Sequence, residues 1–135
     1  MAIQSGDLWR LANTFSALSK NPDLDQSLVE PFQRLAIGRA YYAAYHRALI
    51  YARDLGFMEP EEGTGSHAAL WLWFTARRGE FTLVGNLGFA MHRRRKSADY
   101  KLNEVCPAVD DQIEEGEIFD ETLGRLEELA NQSQE

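Results

Sequence analysis

The sequence is short of several things, and each shortage excludes a class of protein. It has one cysteine, Cys106, too few for an internal disulfide or a cysteine-based zinc site. No stretch approaches the ~18 consecutive apolar residues that a membrane-spanning helix needs, so no membrane association is expected. The opening MAIQSGDLWR lacks the basic head and apolar run of a secretory leader, and a reducing cytoplasm is the expected location. Valine, isoleucine and threonine together number only 14, against 16 alanines and 16 leucines. Branched side chains favour strands, whereas alanine and leucine lose little freedom in a helix. No alternating apolar–polar run bounded by hairpin turns is present either. The expectation is an all-α protein, one domain over residues 1–135, because a single core commonly serves about 100–150 residues.

Motifs that carry familiar chemistry are also missing. There is no HExxH, no calcium loop, no phosphate-binding P-loop and no GxSxG nucleophile elbow. A di-iron bundle needs Glu three residues before His; ahead of His46, His67 and His92 stand Ala43, Thr64 and Phe89. Neither a metal nor a cofactor is expected.

What is present is an uneven charge distribution. The net charge is −7, yet residues 101–135 hold 11 acids and 2 bases, while the first hundred hold 10 acids and 12 bases. Within that first part, Arg77, Arg78, Arg93, Arg94, Arg95 and Lys96 face only Glu80 in the sequence. The bases are mostly Arg, whose planar fork suits two-point contact with phosphate or carboxylate. These six are candidate RNA- or partner-binding residues. The plainer reading is a solvated helix end favoured by the helix dipole. The acidic last helix would alternatively cover the basic residues, within one chain or between two.

Apolar spacing and breakers divide the chain into five helices, which implies a bundle. The first covers about 6–19, with Leu8, Leu11, Phe15 and Leu18 as its inner stripe, and ends at Asn21-Pro22-Asp23. The second covers about 25–55, with Pro31 marking a kink or its first turn. A third opens near Ser66 with Leu70, Trp71 and Phe74 inward. A fourth spans about 83–98, weakened at its start by Gly85 and Gly88. The last, acidic outside, covers about 107–131 with Val109, Ile113, Phe119, Leu123 and Leu126 inside.

The second helix carries the sharpest anomaly. Leu28, Phe32, Leu35, Arg39, Tyr42, His46, Leu49 and Arg53 form a seam of period 3.5 that Arg39, His46 and Arg53 interrupt. Arg39 and His46 are seven apart, hence ~20° apart around the helix and ~10.5 Å along it, so both can face one small ligand. Polar groups on such a seam must find partners. A second row, Ala36, Ala40, Ala44, Ala48 and Ala52, reads as a core ridge that lets a neighbouring helix come close. Three readings of Arg39 and His46 stay open. Arg39 pairs with a buried acid, Asp99, and His46 is a core residue; or His46 transfers a proton while Arg39 stabilises charge on phosphorus; or the pair binds a phosphate or nucleotide without cutting it.

The string Arg39-Ala-Tyr-Tyr-Ala-Ala-Tyr-His46, then Gly-Ser-His67 opening the next helix, then Arg95-Lys-Ser-Ala-Asp99-Tyr100, resembles the HEPN-domain superfamily, especially its small stand-alone members of the UPF0332 type. The resemblance covers about 32–102. It implies a bundle of four or five helices that pairs as a homodimer. It also implies a metal-independent endoribonuclease in a toxin–antitoxin, phage-defence or CRISPR setting, meeting RNA, a ribonucleoprotein complex or a cognate antitoxin. On that analogy Arg39 and His46 are catalytic, and Tyr42, His67, Asp99 and Tyr100 support them. The 2′-hydroxyl of RNA attacks the adjacent phosphate, His46 moves the proton and Arg39 neutralises the charge. The alternative is an inactive member that binds a partner protein or RNA–protein complex. The tyrosine two residues beyond the His, which is nucleotidylated in some family toxins, is replaced here by Ala48.

Overall fold

Helix starts and stops in the chain set the element order. The computed structural model describes residues 4–61 and 65–132. Helix α1, Ser5–Ser19, opens with the Gln4 amide donating to the Asp7 carboxylate at 3.0 Å. Helix α2, Gln26–Asp54, is capped by Asp25, which accepts from the Ser27 amide at 2.9 Å; satisfying such orphan amides typically stabilises a helix by about 1 kcal/mol. It begins ahead of Pro31 rather than at it. Helices α3, Ser66–Thr75, and α4, Glu80–Tyr100, follow Gly65 and Gly79, whose φ values of 78° and 68° suit a residue without a side chain. Helix α5 runs Val109–Gln132. No strand occurs among the described residues, and the protein is all-α.

The fourth helix is longer than its glycines suggest. Gly85 and Gly88 do not weaken its start; they are where α3 presses against it. A β-carbon on Gly88 would stand 2.2 Å from the Trp71 ring, and one on Gly85 would stand 2.8 Å from the Trp71 carbonyl. In the same way Trp9 of α1 lies against Gly116 of α5. Shape complementarity of large rings on bare backbone therefore offsets the poor helix propensity of glycine.

Helix α2 runs through the middle of the bundle, packing against each of the other four. Its alanine row is the buried side: Ala36, Ala40, Ala48 and Ala52 are fully buried and Ala44 almost so. Tyr41, Trp71, Phe74, Val84, Met91, Phe119 and Leu123 close the core around it. The 3.5-period seam is consequently not a buried seam. Leu28 and Leu35 are exposed, Phe32, Arg39 and Tyr42 are half-buried, His46 and Arg53 are exposed, and only Leu49 is buried. The physical reason is angular: Ala44 lies about 200° around the helix from both Tyr42 and His46, so burying one row turns the other outward. A similar correction applies to α1, which buries Ala12, Ser16 and Ser19 while Leu11 and Leu18 stay exposed and Leu8 and Phe15 half-buried.

Polar clamps hold the ends. Arg34 is buried, and its guanidinium donates to the carbonyls of Ala98 at 3.0 Å and Glu104 at 2.8 Å and to the Glu30 carboxylate at 2.7 Å. It thereby supplies donors to carbonyls at and beyond the C-terminal end of α4. Gln112, fully buried on α5, donates to the carbonyls of Ile37 at 3.2 Å and Met91 at 3.1 Å, tying three helices. The acids of α5 meet cations of this same chain: Asp120 and Glu127 pair with Arg47, Glu115 with Arg94, and Asp110 with Lys20.

Gly88→Ala is expected to lower stability by about 2 kcal/mol, because Trp71 cannot yield without vacating the core. Gly6→Ala, where an added methyl meets nothing within 4 Å, is expected to leave stability unchanged or slightly raised. Urea unfolding of the two variants measures both; equal midpoints would contradict this account of the α3–α4 contact.

Candidate functional site

Burial of the alanine ridge delivers a row of polar side chains to the outer face of α2. Arg39 is half-buried and makes no hydrogen bond or ion pair among the described residues. No buried side-chain nitrogen lacks a partner there, so its guanidinium opens to solvent. Two turns further on, His46 is exposed and borders an open cleft of about 550 Å³ with Gln4, Ser5, Leu8 and Ile50. Its ring contacts Tyr45 edge-on at 5.4 Å and stacks loosely on Tyr42 at 6.2 Å. An available guanidinium and an available imidazole thus share one face, as the seven-residue spacing requires.

The pair expected between Arg39 and Asp99 is not formed. Asp99 accepts instead from Arg95, one turn away on the same helix, at 2.9 Å. Its carboxylate sits over Gly38, where an added β-carbon would be 3.5 Å from Oδ1. The Arg95 guanidinium lies 4.9 Å from the Tyr42 ring centre and 5.2 Å from that of Tyr100, and it donates to both phenol oxygens. Tyr42, Asp99 and Tyr100 therefore hold Arg95 against α2.

The six basic residues do not form one patch. Arg93, Arg94, Arg95 and Lys96 are consecutive on α4 and so point in four directions about 100° apart. Arg94 turns to Glu115, Arg95 to α2, and Arg93 and Lys96 are exposed. Arg77 lies over the Trp73 ring at 3.3 Å and donates to its carbonyl at 2.7 Å, while Arg78 is exposed. About 20 Å of helix separates the start of α4 from Arg93. A run of like charge in sequence became a ring around a helix.

Residues that the spacing does not single out complete the neighbourhood. His92 of α4 stacks on His67 of α3, ring centres 5.0 Å apart and planes within 14°. His67 stacks on Tyr45 at 4.0 Å, and His92 on Tyr41 at 5.0 Å. The Trp71 indole donates to the Tyr41 oxygen at 3.1 Å, and that oxygen is 2.6 Å from Nδ1 of His67. Burial pushes the Tyr41 phenol far above its ordinary range. Burial, then Arg95, His46 and Lys96, lower the pKa of His67. Burial, then His67, Lys96 and Arg95, take His92 down to about 4. Both rings are accordingly neutral at pH 7. Cys106 is half-buried and its thiol is pushed up by burial, which keeps it protonated and a poor nucleophile. Among the described residues no group of His, Cys, Asp or Glu is placed to hold a metal ion, and no helix is long and apolar enough to cross a membrane.

Comparison with protein-family models, with curated proteins and with solved structures finds no match to this chain. The geometry above is therefore what bears on function.

The stacked imidazoles make stability depend on pH. An unfolded imidazole titrates near 6.5, so below that pH the unfolded chain binds protons that folded His92 refuses. Stability is then complete above about pH 6.5 and falls with acidification toward pH 4. Between pH 7 and 5 the expected loss is about 1 kcal/mol, half of what the full shift would give, since the ring is partly screened by water. Thermal melts of the native chain and of His92→Phe check it. The variant should show a flatter profile, and a native melting temperature constant over that range would contradict the assignment.

Proposed function

We propose that the chain is a HEPN-type, RNA-directed protein that cleaves RNA without a metal, using Arg39 and His46. The observation that carries the reading is the state of those two side chains: a guanidinium with no partner among the described residues and an exposed imidazole, on one face of one helix. Guanidinium remains charged at any working pH, and imidazole exchanges protons near neutrality. In the reaction His46 takes the proton of the RNA 2′-hydroxyl, and the oxygen bonds to the adjacent phosphorus. The bond from phosphorus to the 5′ oxygen breaks, that oxygen takes a proton from water, and His46 returns its proton to the hydroxide so formed. The products are a cyclic 2′,3′-phosphate and a 5′-hydroxyl end. Arg39 offsets the negative charge that builds on the phosphoryl oxygens. A second copy laid on the same face of α2 would bring a second Arg39 and His46 into one groove, which makes a homodimer the working assembly. The toxin–antitoxin or phage-defence setting belongs to this same proposal.

A second reading has its own support. The face that carries Arg39 and His46 also exposes Leu28, Leu35 and Ile50, at 44%, 40% and 60%. An apolar strip of this kind suits an inactive interaction subunit that docks a partner protein or ribonucleoprotein.

Incubation with mixed RNA in EDTA separates the two. Cleavage is expected from the native chain, with a loss of about 100-fold or more in His46→Ala and in Arg39→Ala, the usual scale for removing a proton-transfer group or a charge-stabilising donor. Equal cleavage by native and His46→Ala protein, or none by either, would end the nuclease reading and leave the interaction subunit.

A further inference from the structure

The stacked histidines make a site of their own. Tyr41 accepts the indole proton of Trp71, and among the described residues the acceptor within reach of its own phenol proton is Nδ1 of His67. That bond fixes His67 in the tautomer whose Nε2 carries hydrogen, on the side of the ring away from Tyr41. His92 makes no hydrogen bond among the described residues. Because no buried side-chain nitrogen lacks a partner, the free nitrogens of both half-buried rings reach solvent. The fixed charges acting on them are cationic: Arg95 and Lys96 of α4, on both rings. From α2 the titratable neighbours are His46, which acts on His67, and the phenols of Tyr41, Tyr42 and Tyr45. Of the carboxylates nearby, Asp99 is engaged by Arg95, and Glu59, which acts on Tyr45, is engaged by Arg53.

Two imidazoles stacked beside the fixed cations Arg95 and Lys96, each with a nitrogen open to solvent, suit an anion. We propose that His67 and His92, with Lys96 beside them, bind a phosphate group, and bind it more tightly as pH falls from 7.5 toward 5.5. A phosphate anion at the open edges of the stacked rings offsets the cationic repulsion that, after burial, disfavours their protonation, so each phosphate bound draws protons onto them. The site does not depend on RNA cleavage by Arg39 and His46, although it adjoins them through Tyr45.

The test is a titration of the full chain with inorganic phosphate, followed through the imidazole resonances by NMR and through heat by calorimetry. Phosphate is expected to shift the His67 and His92 signals together and to raise the titration midpoints of both, and sulfate, a tetrahedral anion whose charge does not change over this range, is expected to bind at least tenfold more tightly at pH 5.5 than at 7.5. His67→Gln and His92→Gln should each weaken binding tenfold or more. Lys96→Ala, at an exposed position that cannot disturb the core, should weaken it severalfold with a smaller salt dependence. Arg39→Ala, which removes the charge-stabilising group of the nuclease proposal, should leave the phosphate-induced shifts of His67 and His92 in place, which separates the two sites. Short RNAs with and without a 5′-phosphate distinguish the source: preference for the phosphorylated end assigns a terminal phosphate, and equal competition by both assigns the backbone. Unmoved His67 and His92 signals at saturating phosphate, or equal affinity in native and Lys96→Ala chains together with pH-independent binding, would overturn the proposal.

Discussion

A helix left open to water along one side buries only one of two rows of side chains that lie on opposite sides of it, and α2 contains two such rows. The alanine ridge takes the inside because its small side chains let α2 sit in close contact at the centre of the bundle. The second row is thereby committed to the outside, with Arg39, Tyr42 and His46 in it. The site is in this sense a by-product of packing: what is methyl-sized goes in, and what carries charge stays within reach of water. Replacing the ridge with larger side chains would push neighbouring helices away and loosen the frame that spaces the two polar groups.

A second constraint links the core to this surface. Trp71 rests on the bare backbone of Gly88, and its indole nitrogen reaches Tyr41, whose hydroxyl reaches His67. Core packing therefore determines which nitrogen of a surface histidine carries hydrogen. Arg34, Gln112 and Arg47 do comparable work at helix ends and faces, each turning a buried or half-buried polar group into a tie between elements. The acidity of α5 belongs to the same scheme. It neutralises cations of other helices, and this is why one of the Arg residues counted from the sequence, Arg94, is unavailable to a ligand.

Much of the architecture was legible in the chain. All five helices fall within a few residues of where spacing, caps and breakers put them, and Leu70, Trp71, Phe74, Phe119 and Leu123 are buried as their periodicity implies. The alanine row of α2 reads as core in the sequence and is buried, but that the seam opposite it stays at the surface was not legible, because a seam of large apolar residues also looks like core. Only the closeness of the neighbouring helices decides it. Gly85 and Gly88 were misread for a related reason, since propensity registers the missing side chain and not the ring that fills the space. The Arg39–Asp99 pair failed because Asp99 had a nearer partner one turn back. His67 and His92 come from different helices, 25 positions apart, and no spacing rule joins them. Arg34 carried a usable signal, being four residues after Glu30, the spacing of a helical ion pair.

The account turns on whether the outer face of α2 is where phosphate of RNA is held. The most direct measurement follows the side-chain Nε–H signal of Arg39 and the ring signals of His46 by NMR while a short RNA, made uncleavable by a 2′-O-methyl ribose at each position, is added. The account predicts that both shift together and saturate at one RNA concentration, with slowed solvent exchange at Arg39. Both signals unmoved while RNA perturbs another surface would contradict it.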